Sequence, residues 1–131
     1  NSTIAANNLD HAKVQTCLSD GLTNVPQDMK FDLITGNPPH QNRPGIGLME
    51  IQGGDEDWGF HEGFFKSADQ FLTDDGVICL IENGRPSYSN ENLFKEMTER
   101  LSPNLILYES IWLPGSEWYL ILICKKGNSV F

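Results

Sequence analysis

The stretch Phe31–Asp32–Leu33–Ile34–Thr35–Gly36–Asn37–Pro38–Pro39–His40 constrains the fold of this chain more than any other. Phe31 to Ile34 reads as a short buried strand. Two consecutive prolines then remove two backbone donors and fix φ at about −65° at both positions, so the strand cannot run through them. The residue ahead of each proline is pushed into extended space as well. The expected product is a stiff ledge at the carboxyl end of a strand, with the polar side chain of Asn37 at its lip. In open α/β sheets, that end of a strand is where ligands sit.

A chain of 131 residues is enough for one domain with a real core and short for two. Its hydrophobic share of 39% fits a soluble globular protein. No apolar run approaches the roughly 20 residues of a membrane span. Residues 1–8 are small and polar, without a signal-peptide pattern. No membrane partner and a cytoplasmic location are therefore expected. The chain opens on Asn1 and not on methionine, which fits a processed or truncated piece of something longer.

The formal charge of −9 works against nucleic acid as a partner, because basic contacts to phosphate supply most of that affinity. It does not exclude such a substrate, since a local basic patch or another domain could provide those contacts. Cys17, Cys79 and Cys124 are far apart, lack CxxC spacing and sit in apolar stretches that read as strands. Buried, reduced thiols are expected and a metal site is not. The acidic cluster Glu50, Asp55, Glu56 and Asp57 reads as a solvated loop. Trp58, Trp112 and Trp118 read as core anchors, and His11 and His61 are given no role. Ser87, Ser89 and Ser110 lack a His/Asp pattern for hydrolysis.

Taken in order, residues 2–9 suit the end of a helix and Asp10–His11 a turn. Residues 12–18 (AKVQTCL) suit a strand ended by Ser19, Asp20 and Gly21. A long glycine-rich run without periodicity, residues 41–57, has the character of a binding loop. Residues 58–72 turn helical: Phe60, Phe64, Phe65, Ala68, Phe71 and Leu72 follow the spacing of one buried stripe. Asp55 to Asp57 ahead of it suit the positive end of the helix dipole. Thr73-Asp74-Asp75-Gly76 reads as a turn, and residues 77–81 (VICLI) as a strand covered on both faces. Residues 90–101 form a second amphipathic helix with Asn90 as N-cap and Leu93, Phe94, Met97 and Leu101 inside. Residues 105–113 and 118–124 are strands joined by a turn short enough for a hairpin, and 125–131 read as a frayed tail. The expected class is α/β, a mostly parallel sheet with helices on its faces and a C-terminal antiparallel hairpin.

FDLITGNPPH resembles the (Asn/Asp/Ser)-Pro-Pro-(aromatic) motif of class I S-adenosylmethionine-dependent methyltransferases that modify planar nitrogens. The flanks agree: a strand ending in Ser19-Asp20-Gly21 upstream, a helix and LTDDGVICLIEN downstream, and a terminal hairpin. The resemblance implies a Rossmann-like fold and S-adenosyl-L-methionine as cofactor. The acceptor would be an amino or amide nitrogen of a nucleic-acid base or a protein glutamine. Catalytic positions would be Asn37, Pro38, Pro39 and His40, with Asn37 and the Pro38 carbonyl accepting from the substrate nitrogen. His40 stands where Tyr or Phe normally stacks on the substrate. Cofactor contacts would fall on Asp20, Gly21, Leu22 and Asn37.

One departure is large. No strand with a glycine-rich cofactor loop precedes Asp20; the glycines at 45, 47, 53 and 54 follow the ledge. By the resemblance, residues 1–131 form a single, partial catalytic domain that begins after the family's second strand. A partner chain would then complete the cofactor site, or the exposed strand edge would drive self-association. The alternative is a non-catalytic methyltransferase-like module kept for binding or scaffolding.

Overall fold

The computed structural model describes residues 14–43, 54–85 and 91–130. The readings of residues 2–11, of the middle of the 41–57 run and of the Asn90 cap lie outside them. In chain order the elements are β1 (Phe31–Gly36), a 3-10 turn (Glu56–Trp58), α1 (Gly59–Phe71), β2 (Leu72–Asn83), α2 (Glu91–Leu101), β3 (Leu105–Trp112) and β4 (Trp118–Lys125).

The four strands form one sheet in the order β1-β2-β4-β3. β1 and β2 are parallel and joined through α1, as parallel neighbours must be by a crossover. β4 returns between β2 and β3 and is antiparallel to both. The sheet is thus mixed, and its parallel character is confined to the pair that carries the ledge.

The core lies on one face. Ile78, Leu80 and Glu82 of β2 stand opposite Ile123, Ile121 and Tyr119 of β4, and all six are buried. Phe64, Phe65 and Ala68 of α1 and Phe94 and Met97 of α2 close over them in one cluster. The helices also touch each other, with the Trp58 and Phe94 rings 6.0 Å apart and Ser102 Oγ donating to the Phe65 carbonyl. Both described helices therefore cover the same face. Val77, Cys79 and Ile81, expected to be covered on both sides, are only half-buried.

Other expectations change as well. β1 is an edge strand among the described residues, not a buried one, and Leu33 is 60% exposed. Residues 14–18 are irregular, with Leu18 95% exposed, because no described strand lies beside β1 to pair with them. Cys17 is exposed, Cys79 half-buried and Cys124 buried, and all three are free thiols. Trp58 is buried, whereas Trp112 is 49% exposed and stacks on Tyr119.

The expected turn at residues 73–76 lies inside β2. Between the pairs Phe31–Leu72 and Leu33–Val77, β1 advances two residues while β2 advances five. The extra residues bulge out, and Thr73 Oγ1 donates to Asp32 Oδ1 at 2.9 Å. Gly76 is required there: a Cβ would come within 2.8 Å of the Phe31 carbonyl oxygen. Nor is the C-terminal stretch frayed, since Asp75 Oδ1 accepts the backbone N–H and hydroxyl of Ser129 at 3.2 and 2.8 Å.

Candidate active site

β1 ends at Gly36, paired with Leu80 of β2. A Cβ on Gly36 would lie 3.0 Å from Leu80 Cδ2, so glycine lets the two strands close at their carboxyl ends. The chain then turns through trans prolines, with Pro38 buried and Asn37 exposed. Asn37 and Pro38 line an open pocket of about 210 Å³ with Ile34, Gly36, Gly21 and Leu22; Phe60, His61 and Phe64 of α1 form another wall.

Gly21 and Leu22 reach that pocket through a tight turn. Thr23 donates its N–H and hydroxyl to the Asp20 carbonyl at 3.1 and 2.7 Å, and Gly21 adopts φ +54°, a region that favours glycine. Asp20 lines an adjoining hollow with Gly59, Gly63 and Ser67. The structure therefore brings Gly21, Leu22, Asn37 and Pro38 to one pocket and Asp20 to its neighbour. Pro39 and His40 are not on the pocket wall.

His40 instead turns toward the sheet. Its Nε2 lies 2.8 Å from Asn37 Oδ1 and its Nδ1 3.0 Å from Glu82 Oε2. The Trp118 ring meets it edge-on at 4.9 Å. The other Glu82 oxygen lies 3.1 Å from His61 Nε2, and His61 Nδ1 lies 2.5 Å from Asp55 Oδ2. Asp55 also accepts the backbone N–H groups of Phe60 and His61 at 2.7 and 3.2 Å, so it caps α1 from outside the helix. Asp57 and Trp58, at φ 54° and 58°, carry the chain from Asp55 into the helix. Such non-glycine residues cost about 1–3 kcal/mol each and tend to cluster at functional sites.

The electrostatics follow from this pairing. Burial alone would raise the Asp55 pKa, but hydrogen bonds from His61 and the two backbone amides outweigh it and hold it below 3.8. Burial alone would lower the pKa of His61, but its bonds to Asp55 and Glu82 outweigh that and raise it above 6.5.

His61 and Glu82 were not candidates from sequence, although both carried a signal. His61 falls three and four residues ahead of Phe64 and Phe65, on the buried stripe of α1. Glu82 is in phase with Ile78 and Leu80, so the two-residue period of a strand puts it on the covered face. Two ionisable residues at core positions are a pair waiting to be matched.

No family model and no curated protein matches the chain. Solved structures match it in fold. The mitomycin 7-O-methyltransferase MmcR aligns with a TM-score of 0.67 at 11% identity, over 95% of this chain and 38% of its own. An S-adenosylmethionine-dependent methyltransferase from Clostridium acetobutylicum gives 0.60 at 12% identity, over 96% of this chain and 69% of that one. The 16S rRNA N2 methyltransferase RsmC of T. thermophilus, in complex with AdoMet and guanosine, gives 0.58 at 21% identity, over 95% and 27%. The likeness is one of fold. The mixed sheet and its two described helices are consistent with a Rossmann-like methyltransferase fold, and the chain spans less than half the length of MmcR and RsmC.

Proposed function

We propose that this chain forms the acceptor side of an S-adenosylmethionine-dependent methyltransferase acting on a planar amino or amide nitrogen, of a nucleic-acid base or a protein glutamine. The observation that carries this reading is the place of Asn37 and Pro38. They stand at the carboxyl end of β1 and line the same pocket as Gly21, Leu22 and Phe60.

An amino nitrogen conjugated to a ring or a carbonyl is a poor nucleophile, because its lone pair is delocalised. Two acceptors on its two hydrogens favour a more tetrahedral nitrogen and aim the lone pair outward. In this reading the acceptors are Asn37 Oδ1 and the Pro38 carbonyl, the latter held in a fixed direction by proline stiffness. Their contribution is positioning and electrostatics.

The residues present suit a nucleoside-bearing donor. Leu22, Phe60 and Phe64 offer apolar surface for a flat ring, and the Asp20 carboxylate in the adjoining hollow offers an acceptor for a ring amino group. When bound, S-adenosylmethionine supplies an electrophilic sulfonium methyl. The pocket of about 210 Å³ falls short of the roughly 300–1,000 Å³ usual for small-molecule sites. That supports completion of the donor side by further residues, from a partner chain or another segment.

Calorimetry with S-adenosylmethionine, followed by methyl transfer to an oligonucleotide and to a glutamine peptide, tests this reading. Asn37→Ala is expected to lower turnover by on the order of 10²–10³-fold or more, with fold and donor affinity nearly unchanged. Unaltered turnover refutes the role of Asn37, and absence of donor binding by the completed protein favours a non-catalytic module.

A further inference from the structure

Four ionisable side chains that methyl transfer leaves unused run in one line into the ledge. Asp55 bonds His61, His61 bonds Glu82, Glu82 bonds His40, and His40 bonds Asn37. The side chains of Asp55, His61 and Glu82 are at most 3% exposed, and that of His40 is 12% exposed. Burying ionisable groups is costly even when they are paired, and apolar residues of similar volume often serve a fold as well or better. Stability alone therefore gives no reason for such a line to end at the lip of a pocket.

We propose that Glu82 and His40 decide which end of the Asn37 amide faces the acceptor nitrogen, an inference that rests on reading Asn37 as the acceptor. His61 faces a carboxylate with each ring nitrogen, so with both carboxylates ionised it carries two ring protons. It donates to Glu82 Oε1 and leaves Oε2 to His40. Accepting at Oε2, Glu82 fixes the proton of His40 on Nδ1. All variability then falls on Nε2, the nitrogen that touches Asn37.

Nε2 has two states, and the Asn37 amide can answer either by a half-turn that exchanges its oxygen and its NH₂. With a proton on Nε2, His40 donates to Oδ1, the atom it lies 2.8 Å from in the structure, and the NH₂ is the end left to the acceptor. An outward NH₂ opposes an acceptor whose hydrogens need an oxygen. Neutral His40 accepts from the Asn37 NH₂ and turns Oδ1 outward. His40 is thus a positioning residue, a role that a Phe or Tyr ring at this place could not fill.

Among the described residues, few groups face His40. β2 provides Glu82, backed by His61 of α1 and by Asp55. β4 provides the Trp118 ring, which carries no charge. Arg85, just past β2, is paired with Glu117. The acceptor-competent form of Asn37 therefore increases as His40 loses its Nε2 proton.

Long-range ¹H–¹⁵N correlation on the labelled full chain across a pH series tests this without turnover. The Asn37 side-chain amide resonances are expected to shift with the same midpoint as His40 Nε2, with neutral His40 in the Nδ1–H tautomer. Glu82→Gln should move His40 toward the Nε2–H tautomer. His40→Phe, which keeps a ring in place, should abolish the pH response of the Asn37 amide and serves as the check if Glu82→Gln does not fold. An Asn37 amide that ignores the titration of His40, or that titrates unchanged in His40→Phe, overturns the inference. Full turnover in Asn37→Ala would instead overturn the functional reading beneath it, so the two failures are distinguishable.

Discussion

Glu82 Oε1 lies 3.1 Å from His61 Nε2, and neither side chain is more than 1% exposed. Removing Glu82 breaks a buried ion pair and takes the buried acceptor from His61 Nε2 and His40 Nδ1, leaving Asp55 as the carboxylate partner of His61. Glu82→Ala is expected to cost about 3–5 kcal/mol, read as a fall in the urea midpoint. A loss well below 1 kcal/mol would mean that water reaches the pair.

The same line gives stability a pH dependence at both ends. His61, raised above 6.5, contributes fully below pH 6.5 and loses that contribution as pH rises through its folded value. Asp55, lowered below 3.8, contributes fully above pH 3.8 and loses it as pH falls through its folded value. Urea midpoints are expected to be highest between pH 3.8 and 6.5. His61→Gln should flatten the alkaline decline, and an identical decline in that variant would assign it to other groups.

Gly76 tests the bulge. A Cβ there would lie 2.8 Å from the Phe31 carbonyl oxygen, a backbone atom that cannot swing aside. Gly76→Ala is expected to cost about 1–3 kcal/mol, the usual toll of forcing volume into a packed place. Hydrogen exchange should show its effect at the amino ends of β1 and β2, with Leu80 and its neighbours protected as before.

β1 provides a test of association. Its outer edge carries no described strand and presents Leu33 at 60% exposure, the arrangement that invites pairing with another chain. Light scattering is expected to show mass above that of a monomer, and Leu33→Lys to return it to one. A monomer at all concentrations would refute self-pairing at this edge.

What could be read from sequence was whatever one local rule decides. The stripe from Phe60 to Phe71 allows only a helix with one buried side, and Pro114-Gly115 between two apolar runs allows only a hairpin. Residues 73–76 misled because Asp-Asp-Gly satisfies the chemistry of a turn and of a bulge equally, and only pairing with β1 chooses between them. Residues 14–18 misled because alternation describes a strand only if a neighbour supplies the ladder. The ledge was legible, since prolines act on their own backbone. The line behind it was not, because Asp55, His61 and Glu82 meet only after α1 folds onto β2.

The clasp between Asp75 and Ser129 has a practical consequence. It ties the C-terminal stretch to the amino end of β2, whereas Glu82 and the ledge stand at the other end. At ~3.3 Å per strand residue the two are roughly 20 Å apart. A dye, tag or surface tether joined beyond Val130 would hold the molecule by its far end and leave the mouth of the pocket open to whatever is being tested.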